Sequence, residues 1–209
     1  MNAAVQWDFI DHQPGVISAR QDRVELAIHE AGHAVVAAML GMAVPDHENI
    51  TIGETETGSG GVTPIGHLQL APGAGCGEHI VVFVAGNAAV ETLMPGLVRS
   101  PDDETLAKVL TEIQQRIEAT PPDEAFEANG NDDEMALAFL AFCYPHLTDD
   151  AVIEHYRDAE ALARGWVATE PVCRAIQAVM TVLIHHSSIS GFMVRQISER
   201  YGLISRGHA

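Results

Sequence analysis

Residues 23–40 read RVELAIHEAGHAVVAAML. Val24, Ala27, Ile28, Ala31, Val35, Ala38 and Met39 recur at a helical spacing. A helix from about Ala19 to Leu40 is therefore expected, opened by a capping box at Ser18 and Gln21 and closed by Gly41. On a helix, positions i and i+4 share a face. His29 and His33 then turn their imidazoles into one space and can ligate one Zn²⁺. Glu30, beside the first His, can serve as general base toward the attacking water. The plainer alternative is a satisfied core trio of two histidines and a glutamate.

Composition narrows the classes of function. The chain has 209 residues, enough for a sizeable core, and 47% of them are apolar, as in globular proteins. Eleven basic residues against 29 acidic ones leave a net charge of −18, which argues against nucleic acid or an anionic membrane as partner. Cys76, Cys143 and Cys173 are odd in number and lack a C-x-x-C spacing. They read as free thiols in a reducing cytosol, so a cytoplasmic location is expected. No signal peptide is expected, because the N-terminus lacks a basic region followed by an apolar stretch, and no membrane insertion, because the apolar runs are too short. No phosphate-binding glycine loop is present, so the chain brings no ATPase of its own.

Residues 1–17 read as an N-terminal arm and 18–209 as one domain, with a metal-site half (18–122) and a helical half (132–209). Asn49–Ile52 and Val62–Leu70, joined by a glycine-rich turn, suggest a β-hairpin beside the motif helix. Pro64 makes its part of the second strand an edge. Glu78–Met94 is apolar nearly all round, the mark of a buried helix. Ser100-Pro101 is expected to open the next helix, with Leu106, Val109, Leu110, Ile113 and Ile117 as its apolar stripe. Asp123–Glu134 reads as an acidic, solvated loop. Further helices are expected at about Glu134–Cys143, Asp149–Ala163 and Pro171–His186, with a short last one from Ser190-Gly191 to Gly202. The fold class is mainly α with one small β-hairpin or sheet.

A catalytic zinc needs a third protein ligand. The extension H-E-x-x-H-x-x-G-x-x-H fails, because Val36 and Met39 stand at its Gly and His positions. Glu91, on the apolar helix, and Asp103, in the next helix's first turn, both remain open. Spacing does not decide between them.

Residues 22–36 resemble the peptidase domain of the FtsH-type ATP-dependent zinc metalloproteases. Later landmarks follow in the same order. Gly61-Val62-Thr63 resembles that family's substrate-side edge strand, and Ala85-Gly86-Asn87-Ala88-Ala89-Val90-Glu91 its G-G-R-x-A-E-E helix. Asp102-Asp103-Glu104-Thr105-Leu106-Ala107 resembles its S-N-D-L-x-x-A segment, whose Asp ligates zinc. Ile189-Ser190-Gly191 is similar to its L-D-G step. The likeness spans about residues 18–198, without the membrane spans or the ATPase domain. Asn87 stands for the family's Arg, Val90 for its first Glu, and Pro64 interrupts the strand.

The resemblance implies a helical metallopeptidase fold, a Zn²⁺ held by His29, His33 and Asp103, Glu30 as base, and Glu91 orienting a ligand. It implies substrate binding along Gly61, Val62 and Thr63. The expected function is hydrolysis of unfolded proteins or peptides without an ATPase. A homo-oligomer or a separate unfoldase is the possible partner. The alternative is a non-catalytic zinc-binding scaffold or regulator that kept the fold.

Overall fold

The structure, a computed structural model, describes residues 14–42, 45–55, 58–62, 76–119 and 132–204. The expected N-terminal arm lies almost wholly outside these residues. So do Thr63, Pro64 and the rest of the second extended run, the loop 71–75, and the acidic stretch up to residue 131.

The motif helix, α1 (Pro14–Met39), begins before the Ser18 capping box. It ends as expected: Gly41 takes φ 75°, and the Met42 N–H donates to the Ala37 carbonyl at 2.8 Å. That six-to-one bond needs a residue at ease with positive φ. α2 (Cys76–Leu93) is the buried helix; from residue 80 to 90 only Asn87 is not buried. Its all-round apolarity follows from its place, in contact with α1, α4, α5 and α6, which leaves no face for water.

β1 (Asn49–Thr55) and β2 (Gly58–Val62) form the expected antiparallel hairpin. A third strand, β3 (Ser188–Ser190), completes the order β2-β1-β3 and pairs Ile189 with Ile50, both buried. The sequence reading placed Ser190 at the start of the last helix and saw no strand there, because three residues carry too little pattern. Among the described residues β2 lies at the edge of the sheet, and both hairpin strands touch α1.

α3 (Asp103–Ala119) opens two residues later than Ser100 suggested. Its cap is Asp102, whose carboxylate accepts the Thr105 N–H at 2.8 Å. Leu106, Leu110 and Ile113 are its buried stripe. α4 (Asp132–Cys143) opens two residues earlier than expected, within what read as a loop. α5 (Asp149–Val167), α6 (Glu170–His186) and α7 (Gly191–Arg200) follow. Arg23 ties α1 to the end of α6, donating to the Ile184 carbonyl at 3.2 Å and the Ser187 hydroxyl at 2.7 Å. Buried residues of all seven helices and of the sheet form one core. Among the described residues no single helix is long and apolar enough to cross a membrane.

Candidate metal centre

The two histidines meet as the i, i+4 spacing requires. Their Nε2 atoms stand 3.0 Å apart, with the rings edge to face. His33 Nδ1 lies 2.7 Å from the Val82 carbonyl of α2. A carbonyl only accepts, so this nitrogen carries the proton, and Nε2 is the one turned into the site. α1 and α2 come this close because of two glycines. A Cβ on Gly32 would sit 2.7 Å from the Ala85 carbonyl and 2.8 Å from the Ala89 Cβ. A Cβ on Gly86 would sit 2.5 Å from His33 Nε2 and 2.7 Å from the His29 ring, within the space the imidazoles share.

The third group is Asp132, the first residue of α4. Its Oδ2 lies 2.8 Å from His29 Nε2 and 3.2 Å from His33 Nε2. These three are the one cluster of metal-ligating side chains found among the described residues. The side chains of His29 and Asp132 are 21% and 33% exposed and that of His33 only 4%, so the cluster opens to solvent on one side.

The charges explain what keeps three polar atoms this close. Burial by itself would lower the His33 pKa. The Asp132 charge and hydrogen bond, the Glu30 charge and the Val82 carbonyl outweigh burial and raise it to about 9. Burial would likewise raise Asp132, but the charge on His33 and the hydrogen bonds of both histidines hold its carboxyl well below the usual range. The cluster wants a cation at its centre, a proton or a metal. The donor set fits a metal. Tetrahedral zinc with bonds of roughly 2.1 Å sets its ligand atoms about 3.4 Å apart. The observed separations of 2.8, 3.0 and 3.2 Å need only a small outward movement. Two imidazole nitrogens and one carboxylate oxygen suit zinc among several divalent ions.

Glu30 is buried on α1, near enough to His33 to help raise its pKa. Around Asp132, the α4 start is held by its neighbours. Asp133 accepts the Tyr156 hydroxyl at 2.5 Å and the Asn87 amide at 3.4 Å, and Glu134 pairs with Arg116 of α3.

Two expected site residues are placed elsewhere. Asp103 is not at the histidines. Its side chain is 73% exposed and accepts both Nε and Nη2 of Arg157, at 2.9 and 2.7 Å. Asp103 is the first residue of α3, and Arg157 on α5 holds its carboxylate there. Glu91 does not orient a ligand. It accepts the backbone N–H groups of Arg99 and Ser100 at 2.8 and 2.9 Å and pairs with Arg164, fastening the α2–α3 connection. Burial would raise its pKa, but those two backbone bonds and its other hydrogen-bond partners lower it. Gly61 and Val62 lie on the edge strand β2, in register with Ile52 and Thr51. Thr63 lies outside the described residues.

Asp132 is the site residue that sequence reading missed. It was grouped with the solvated acidic loop. The available signal was the run Asp132-Asp133-Glu134 directly before Met135-Ala136-Leu137-Ala138-Phe139-Leu140, since acids favour a helix's first turn.

Comparison with protein-family models and with curated proteins gives no match.

Proposed function

We propose that this chain is a zinc-dependent metallopeptidase that cuts extended, unfolded polypeptide without an ATPase of its own. One observation carries the reading: three ligating atoms converge at the helix that carries Glu30, whose charge acts on His33 and which is the group a hydrolase needs as base. Zinc, when bound, supplies Lewis acidity toward the scissile carbonyl and makes water a competent nucleophile near neutral pH.

The chain's own groups do the rest. His29, His33 and Asp132 hold the ion, with the Val82 carbonyl fixing the His33 ring. Glu30 takes the proton of the attacking water and returns it to the nitrogen of the departing strand. β2, at the edge of the sheet among the described residues and beside α1, is the strand along which an extended substrate would lie. Three protein ligands among the described residues, with a solvent-facing side, leave room for water and substrate, whereas purely structural zinc sites are closed by four. That openness favours catalysis over the scaffold alternative.

The test is cleavage of a casein-like unfolded protein by zinc-loaded wild type and Glu30→Gln, each with and without ATP. Wild type should cut, the variant should lose about 10²- to 10⁴-fold while keeping its zinc, and ATP should change nothing. A wild type that binds zinc and is as inert as the variant on diverse unfolded substrates would hand the site to the scaffold reading.

A further inference from the structure

We infer that Tyr156, acting through Asp133, is a positioning residue that holds the first turn of α4 so that Asp132 meets the two histidines. The inference rests on the metal-site reading above and extends it to a residue on a different helix.

Tyr156 is wholly buried, on a stripe of α5 that otherwise consists of Val152, Ala159, Ala163 and Val167 with Glu160. A phenol in such a place needs a partner for its O–H. It donates to Asp133 Oδ1 at 2.5 Å, and the Asn87 amide of α2 approaches the same oxygen at 3.4 Å. Successive helical residues point about 100° apart. Asp132 and Asp133 therefore serve different neighbours from adjacent positions, the first turned to α1 and the second to α5 and α2. Glu134, one step further, pairs with Arg116 of α3. Three consecutive carboxylates thus tie one helix end to four other helices, which fixes both its rotation and its height.

Asp132 needs that help. Its side chain is one-third exposed, so packing alone does not hold it. A ligand held ready costs less to order on binding, and groups that orient ligands typically contribute 10- to 100-fold in metal affinity. Tyr156 bonds the residue beside the ligand, so it acts through the helix that carries the ligand.

Tyr156→Phe keeps the ring and deletes one O–H. In the full-length chain, zinc affinity by chelator competition should fall about 10- to 100-fold, and bound Co²⁺ should show altered ligand-field bands and faster release. Asp133→Asn keeps an oxygen that can accept the phenol and should retain most of the affinity. Asp133→Leu removes the Asn87 contact as well and should cost at least as much as Tyr156→Phe, and the Tyr156→Phe/Asp133→Leu double variant should fall little below Asp133→Leu alone, because the phenol then has no link left to lose. A Tyr156→Phe protein with wild-type zinc affinity and an unchanged Co²⁺ spectrum would overturn the inference, even if it unfolds more easily, since a merely structural tyrosine does that too. His33→Ala is the control. It should lose the metal, and if it does not, the metal site falls and takes this inference with it.

Discussion

Two groups of carboxylates in this chain differ in what neutralises them. Glu91, Asp103 and Glu160 face guanidinium groups. Arg157 holds Asp103 and Glu160 at 2.7 Å each, and Arg164 reaches Glu91 at 2.9 Å and Glu160 at 3.5 Å. Asp132 faces imidazoles instead. Arginine stays charged across the whole biological pH range, so the first group is complete within the chain. Imidazole is neutral as a metal ligand, so Asp132 and its histidines are complete only with an added cation. In a chain with 29 acidic residues, the count of acids locates nothing. The identity of the partner separates a fastening from a binding site.

The strongest way to break this contrast is to remove one acid from each group. Asp132→Ala should weaken zinc binding by more than the ~100-fold typical of groups that merely orient a ligand. Asp103→Ala should change it by less than about twofold, because distant, independent sites do not couple. Chelator competition on both variants gives the answer, and an equal loss from Asp103→Ala would erase the distinction.

Gly86→Ala tests the space the histidines occupy. The added Cβ lands 2.5 Å from His33 Nε2, so stability should fall by about 1–3 kcal/mol and zinc should be lost. Gly165→Ala, in open space on α5, should instead gain about 0.5–1 kcal/mol. Thermal unfolding with and without zinc separates the two.

Arg157→Met probes the other group. Glu160 is buried at 4% side-chain exposure and would keep only the 3.5 Å contact to Arg164. Stripping a buried carboxylate of its main cation costs about 3 kcal/mol. Denaturant titration should report that loss.

The smallest effect is on pH. His33 has its pKa raised from 6.5 to about 9, so its pairing contributes fully below pH 6.5 and is lost as pH rises through 9. Asp132 is shifted down, so the same pairing also weakens in acid, as pH falls through its depressed pKa. Metal-free protein should lose stability between pH 6.5 and 9 in denaturant titrations. Zinc uptake should strengthen over the same interval, because the ion competes with the His33 proton. Arg157→Met should keep both trends.

Much of this was legible beforehand. The α1 pattern gave the histidine pair and its Gly41 stop, and the apolar run 80–90 gave a central helix. Ser100 failed as a cap because Asp102, two residues on, bonds the first free N–H groups of α3, and Ser100 was drawn off to Arg164. Asp103 failed as a ligand for a tertiary reason: an arginine 54 residues away claims it. That Asp132–Glu134 begin a helix could have been read from the apolar run behind them. That Asp132 reaches the histidines could not, because the packing of α4 on α2 decides it.

Asp132 and His33 stand 99 positions apart in the chain. An ion shared between them would therefore cross-link the chain. A covalent tie closing a loop of about 100 residues is worth about 4.7 kcal/mol in the chain-entropy view. Part of any affinity measured for zinc should then be the free energy of folding, and a chelator should act on the zinc-loaded chain as a denaturant.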